Sequence, residues 1–453
     1  MKPLRLTFGL LVAASAAIAG GGLGAGCGSA DTESAADAGD AGPVTAPGGG
    51  ATGSGGSPGG AGGQGTGPVT SGAGGTAGPA GSGGAAESGR DAGADAPGSA
   101  GTSGGGAAGG GASAAGGRTG ATGGSTGATG GSAGVVPLDP SLLSLCTGTG
   151  PILCTIPVPN NGNYTVTVEL GSATVASTSR VQAETYRIVV PPLALAAGSY
   201  SQQNFSVNVR AEVHDGYAAV GRVLNLRIDG PAPALHGLGY VAAPSIPTVF
   251  FAGDSTVCDW DPAYTAVTPA TAGVLERGWA QEVSQFFKAG IAMADYADSG
   301  ETASTFYGKF WPPAKAALRA GDYVFIQFGH NDQKVDTIAA FTTNMMRYVT
   351  DARNAGATPV LVTPPGRKTA TATDSGFAGF DQATRDLARS ANVTLVDLTT
   401  LSISYYGTVP DKSVVFANPT EPTHFSEIGA TALSKLVTTD LKAGTLPLRD
   451  LLR

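Results

Sequence analysis

The sequence predicts a three-layer α/β/α parallel sheet, preceded by an all-β sandwich and a long Gly-rich linker. Three observations predict it. Of the 72 glycines, 40 fall between Asp31 and Pro140, a stretch without Phe, Tyr or Trp. From residue 137 to about 245, apolar and polar residues alternate with period two. From Pro247 onward, short apolar runs alternate with amphipathic stretches.

The glycine-rich stretch has almost nothing large to bury and so cannot offset its chain entropy. That excludes one globular body of 453 residues. About 310 residues from Val136 onward remain for folded structure, enough for one large or two ordinary domains. Residues 28–136 therefore read as a disordered Gly/Ala/Ser/Thr-rich linker, a coil with a root-mean-square span of roughly 55–65 Å.

Ahead of it, Lys2 and Arg5 precede an apolar run from Thr7 to Ala19, too short to span a bilayer comfortably. Residues 1–27 thus read as an export signal. The run Leu23-Gly24-Ala25-Gly26-Cys27 resembles a bacterial lipoprotein signal, in which the cysteine carries the lipid. Such an anchor places the protein at the outer membrane or cell surface. An ordinary signal cleaved near Ala25 makes it secreted instead.

The net charge is −8, with −5 in the linker, +2 at the N-terminus and −5 in the folded part. No basic block occurs, so nucleic acid is not an expected partner. Of the four cysteines, Cys146 and Cys154 flank a Gly/Pro turn and suit a small disulfide loop in an oxidising compartment. Cys258 is left over. No CxxC occurs, and neither metal nor cofactor is expected.

In the β-module, residues 137–245, Tyr164, Val166, Val168 and Leu170 share one strand face, opposite Thr165, Thr167 and Glu169. Phe205 to Val213 alternates in the same way, as do Leu224, Leu226 and Ile228. Asn160-Asn161-Gly162-Asn163, Ala197-Gly198 and Asp215-Gly216 mark turns. In the α/β part, residues 246–453, strands are expected at 248–252, 323–328, 359–362 and 394–397. Helices are expected at 279–288, 338–354 and 426–442, the last capped by Ser426.

Chemistry in a parallel sheet collects at the carboxyl ends of its strands. There lie Gly253-Asp254-Ser255-Thr256 and Phe328-Gly329-His330-Asn331-Asp332, with Thr420-Glu421-Pro422-Thr423-His424 after the last strand. Only His330 and His424 lie beyond residue 246, each inside one of these blocks. A serine esterase needs a near-neutral base at its nucleophile, and a carboxylate three residues before a histidine can orient it.

Gly253-Asp254-Ser255, Gly300, Gly329-x-Asn331-Asp332 and an acid three before His424 are the four ordered blocks of the SGNH or GDSL hydrolase superfamily, which the chain resembles. Within it, Gly278-Trp279-Ala280-Gln281-Glu282, Thr363-Pro364-Pro365-Gly366-Arg367 and Thr423-His424-Phe425-Ser426-Glu427-x-Gly429 resemble the rhamnogalacturonan acetylesterase-like carbohydrate esterases. The resemblance covers about residues 246–445. It implies a flavodoxin-like sheet and a catalytic set of Ser255 as nucleophile, His424 as base and Glu421 as orienting acid. It also implies an oxyanion hole of Ser255 N–H, Gly300 N–H and the Asn331 amide, each donor lowering the barrier by roughly 3–4 kcal/mol. The family acid is usually Asp, and Arg usually follows the block glycine. Here they are Glu421 and Glu301.

The implied activity is O-deacetylation of an acetylated polysaccharide by a monomer. A lipid or thioester hydrolase on the same fold, and a non-catalytic glycan-binding lipoprotein, are the alternatives. Trp260 reads either as core or as a platform for a sugar ring. His330 reads either as a support for the Asn331 loop or as a substrate contact. The β-module is similar to the galactose-binding-like sandwiches found before such esterases, and is either a packing module or a carbohydrate binder.

Overall fold

The computed structural model describes residues 136–214, 217–261, 276–418 and 420–453. The export segment with Cys27, the linker up to residue 135 and the Asp215-Gly216 turn lie outside the described residues.

The first part is a sandwich. One sheet has the order β1-β2-β9-β4-β5, formed by β1 (Cys146–Thr147), β2 (Ile152–Pro157), β4 (Ser177–Ala183), β5 (Arg187–Leu195) and β9 (Val223–Ala232). The other has the order β10-β3-β6, from β3 (Gly162–Gly171), β6 (Tyr200–Val209) and β10 (Leu235–Ala242). Every pairing is antiparallel. Tyr164, Val166, Val168, Leu170, Phe205, Val207, Leu224, Leu226 and Ile228 pack into one core between the sheets, as their period-two spacing requires. Cys146 and Cys154 are register partners on β1 and β2 and are joined by a disulfide. In β5 the register slips around Pro191-Pro192, whose ring nitrogens carry no N–H.

Two details depart from the alternation. Thr165 and Thr167 are buried too, because other segments cover the second face. Val136 N donates to Thr167 Oγ1 at 3.0 Å, and Thr165 Oγ1 sits 3.4 Å from the buried Ser206 hydroxyl. The apolar run from Phe205 to Val213 is two strands rather than one. It breaks at Arg210, one residue past Val209, whose partner Gly162 is the first residue of β3, and resumes as β7 (Ala211–His214), hairpin partner of β8 (Tyr217–Val220).

The second part is a parallel sheet of order β13-β11-β14-β15-β16. Its strands are β11 (Thr248–Gly253), β13 (Ala292–Asp295), β14 (Tyr323–Gln327), β15 (Thr358–Val362) and β16 (Thr394–Val396). A two-stranded ribbon joins β12 (Glu276–Arg277) to β17 (Phe425–Ser426). The helices are α1 (Trp279–Val283), α2 (Ala303–Lys309), α3 (Trp311–Ala317), α4 (Asp332–Val335), α5 (Ile338–Asn354), α6 (Phe380–Ala391), α7 (Leu398–Thr408) and α8 (Glu427–Ala443).

Strand β11 shows why the sheet carries continuous apolar runs. Val249 and Phe251 point into a core with α1 and α8, while Phe250 and Ala252 point into a core with α2 and α5. Ser426 caps α8 by accepting from Gly429 N at 3.1 Å. The helix expected at 279–288 stops at Val283 and tightens into a 3-10 turn, Ser284–Phe286. The order in which β11 lies between β13 and β14 places three strand ends side by side.

Candidate active site

At the end of β11 the chain turns sharply. The Asp254 carbonyl accepts from Val257 N at 3.0 Å and Cys258 N at 3.1 Å. The Asp254 carboxylate accepts from Thr256 N at 3.0 Å and Thr256 Oγ1 at 2.7 Å. Ser255 sits at the apex of this doubly tied turn. Gly278 lets α1 approach it: a Cβ there would lie 2.2 Å from the carbonyls of Val257 and Cys258. Trp279 N can then donate to Thr256 O at 2.9 Å.

Beneath the turn runs a buried polar relay that the sequence did not announce. Gln327, the last residue of β14, accepts from Trp279 Nε1 at 2.7 Å and donates to Thr256 Oγ1 at 2.8 Å. Replacing it by Met keeps the volume but strands the buried Trp279 indole N–H, since Thr256 Oγ1 still donates to Asp254. Gln327→Met is therefore expected to lower stability by about 1–3 kcal/mol, read as a fall in the urea midpoint.

His330 faces the same turn from the other side, its Nδ1 3.4 Å from Asp254 Oδ2. Burial holds the imidazole below its ordinary value. Burial would raise Asp254, but His330 and the Thr256 hydrogen bonds outweigh it and keep the carboxyl below the usual range. His330 is 1% exposed, and its side chain packs against the Ser255 turn.

The Gly300 block follows β13. Asp298 N donates to Gly253 O at 3.2 Å, which ties this strand end to that of β11. Gly300 has φ +72°, the left-handed region that glycine enters without a Cβ penalty. Asn331 Nδ2 donates to the carbonyl of Glu301 at 3.1 Å, so the amide lies against the Gly300 segment. Asp332 fastens the two loops, accepting from Ala303 N at 2.8 Å and Gly329 N at 2.9 Å. Burial pushes it up to about 7 despite those donors. Glu301, where the family usually has Arg nearby, is buried and paired with Lys309 at 2.8 Å.

His424 arrives from the far end of the chain. Phe425 and Ser426 pair with Arg277 and Glu276, and Ala417 N donates to the His424 carbonyl at 3.0 Å. Glu421 Oε2 lies 3.2 Å from His424 Nδ1. Its two oxygens also accept from Thr423 N at 2.7 Å and His424 N at 2.8 Å. Burial opposes ionisation, but the histidine and these amides outweigh it and hold the carboxyl at about 2. One methylene more than Asp therefore still reaches the ring. Glu276 also feels His424 and Glu421, and burial raises it above the ordinary value.

Trp260 joins the two halves. Its indole N–H donates to Ser255 O at 3.0 Å, and its ring meets that of His424 edge-on with centroids 5.3 Å apart. At 4% exposure it is a wedge between the Ser255 turn and the His424 ring. Among the described residues, no group of three His, Cys, Asp or Glu side chains is placed to hold a metal.

Ser255, Gly300, Asn331, Glu421 and His424 thus come together around the ends of β11, β13 and β14, as blocks separated widely in sequence. Gln327, Glu276 and the tether role of Asp332 escape a reading by motifs, because each acts through a long-range partner.

Residues 251–432 match the family model described as GDSL-like lipase/acylhydrolase. The chain is 32% identical over 223 residues to the rhamnogalacturonan acetylesterase RhgT of Bacillus subtilis, covering 45% of this chain and 92% of that protein. It is 25% identical over 220 residues to the probable rhamnogalacturonan acetylesterase YesY of the same organism, covering 45% and 95%. Among solved structures, protein YxiM of Bacillus subtilis aligns with a TM-score of 0.40 at 23% identity, over 65% of this chain and 80% of that one.

Proposed function

As this chain belongs to the GDSL-like lipase/acylhydrolase family, we propose that it is a serine esterase that removes O-acetyl groups from a plant cell-wall polysaccharide such as rhamnogalacturonan. The observation that carries the reaction class is the pairing of an ionised Glu421 with His424 beside the Trp260-linked turn of Ser255. The substrate class rests on the similarity to RhgT.

Ser255 Oγ attacks the acetyl carbonyl and His424 takes its proton. Glu421 holds the ring and stabilises the imidazolium. The tetrahedral oxyanion is met by Ser255 N–H, Gly300 N–H and Asn331 Nδ2. His424 then protonates the departing sugar oxygen, and water activated by the same ring releases acetate from the acetyl-enzyme. The segment from Lys2 to Cys27 supports an exported protein, with the linker as its tether to a lipid on Cys27.

The test is acetate release from a panel of acetylated rhamnogalacturonan and acetylxylan, beside p-nitrophenyl acetate and p-nitrophenyl palmitate. Release is expected from the pectic polymer and the acetyl ester, with the palmitate turned over at least 100-fold more slowly. Preference for the palmitate would replace this reading with a lipid hydrolase.

A further inference from the structure

One hairpin of the sandwich reaches both halves of the reactive centre. Arg187, the first residue of β5, forms an ion pair with Asp259, and the two side chains are 3% and 0% exposed. Asp259 continues the turn that carries Ser255 and directly precedes Trp260. Burial and the Asp259 charge push the neighbouring Asp295 well up, with Arg187 and Arg210 opposing.

In the β4–β5 turn, the Thr185 carbonyl accepts from Gln281 Nε2 at 2.9 Å. The same nitrogen donates to Trp260 O at 2.9 Å, and Gln281 Oε1 accepts from Trp260 N at 3.2 Å. On β4, Arg180 is held by Asp229 at 2.8 and 2.9 Å and donates to Glu427 Oε1 at 2.7 Å. Glu427 opens α8 three residues after His424, and its other oxygen lies 3.8 Å from Arg277, the register partner of Phe425. The hairpin therefore touches the Ser255 turn at Asp259, the Gln281 side chain that holds the Trp260 backbone, and the histidine segment at Glu427.

Arg210 also crosses to the α/β part, donating to the Asp295 carbonyl at the end of β13, whereas two further contacts lie elsewhere. Asn163 Nδ2 donates to Thr248 Oγ1 and Ile246 O, at the start of β11. Ser206 Oγ accepts from Gly290 N, ahead of β13. Those join the parts at the amino ends of the strands, away from Ser255.

We infer that the β4–β5 hairpin is a positioning element of the catalytic centre, in which Arg187 and Arg180 set the relation between Ser255 and His424. The inference rests on the reading of those two residues as nucleophile and base. The physical ground is that a buried ion pair adds little net stability over an apolar replacement, while it fixes geometry. Reacting groups displaced by about 1 Å lose on the order of 100-fold in rate. Arg187 and Arg180 do not touch substrate; they act through Asp259 and Glu427.

The experiment uses the full chain. Arg187→Met combined with Asp259→Asn removes both buried charges together, so neither is left uncompensated. Arg187→Lys is the conservative variant, Arg180→Met tests the second arm, and Asn163→Ala is the comparator at the far contact. The readouts are kcat and KM for p-nitrophenyl acetate, the rate at which a fluorophosphonate labels Ser255, and the melting temperature. The double variant and Arg180→Met are expected to keep KM within about twofold. Their kcat and labelling rate are expected to fall together by about 30- to 100-fold. Arg187→Lys recovers part of that loss. Asn163→Ala lowers the melting temperature and leaves kcat unchanged. Wild-type kcat and labelling in a folded double variant and in Arg180→Met would overturn the inference. Should the double variant not fold, Arg180→Met, whose side chain is 18% exposed, decides alone. Turnover surviving in Ser255→Ala would remove the underlying reading instead. An inactive Ser255→Ala beside unaffected arginine variants would remove only this inference.

Discussion

Ser255→Ala is expected to reduce hydrolysis of p-nitrophenyl acetate by on the order of 10⁵- to 10⁶-fold, to the level of the buffer blank. The loss is this large because no neighbour can take over the attack. The Thr256 hydroxyl is the next oxygen along the turn, and it is committed as donor to Asp254 and acceptor from Gln327. The fold has no reason to follow. Ser255 is 3% exposed, and the bonds that shape its turn come from Asp254 and Thr256. The denaturation midpoint is accordingly expected within about 0.5 kcal/mol of the parent. Steady-state rates beside a urea titration check both halves. A Ser255→Ala protein that still turns over at a tenth of the parental rate would move the nucleophile elsewhere.

Glu421→Gln is expected to lower the plateau kcat by on the order of 10³- to 10⁴-fold while leaving KM nearly unchanged. The carboxylate accepts three N–H groups: the ring Nδ1–H and the amides of Thr423 and His424. A glutamine has one oxygen for them and turns its NH₂ toward the rest, so it disturbs the tautomer as well as the charge. The pH dependence separates these roles. Glu421 sits at about 2 in the fold against an ordinary 4.5, so its contribution is in place above about 4.5 and is lost as pH falls through 2. It stays ionised over the working range, and the acid limb of kcat follows the imidazole. Without the carboxylate the imidazolium gives up its proton more easily, so that limb moves to lower pH as the plateau drops. Initial rates from pH 4 to 9 would show it. An unchanged plateau would mean that Ser255 and His424 work as a dyad.

The sequence was most informative where function and periodicity are local. The α5 bounds, Ile338–Asn354, follow from the apolar spacing alone, and Ser426 announces α8 by its capping chemistry. The blocks of the candidate site are short and contiguous, so Ser255, Gly300, Asn331 and the Glu421–His424 spacing stand out unaided. What escaped depends on distant partners. Strand β13 is Ala-Met-Ala-Asp, without the β-branched residues that advertise a strand, and is fixed by its pairing with β11. The break at Arg210 is set by where the partner strand β3 begins, at Gly162, and the burial of Thr167 by a segment outside the alternation. Trp260 and His330 illustrate the same limit in the site. Their positions beside the motifs left both a packing role and a sugar contact open, and the fold buries both side chains against the Ser255 turn.

The five-stranded sandwich sheet ends in two strands that resist further pairing. On one side β1 is only two residues long and is bonded covalently to β2 by Cys146–Cys154, so it cannot peel away and bare the β2 backbone to another chain. On the other, the first half of β5 is buried, while its exposed half begins with Pro191-Pro192, which have no N–H to donate. Unprotected edge strands are the usual templates for aggregation, and this sheet blunts its two by different chemistries. Only one of them responds to reduction. Self-association through this sheet therefore has its opening at a reduced Cys146–Cys154 pair, and an oxidising environment keeps that opening shut.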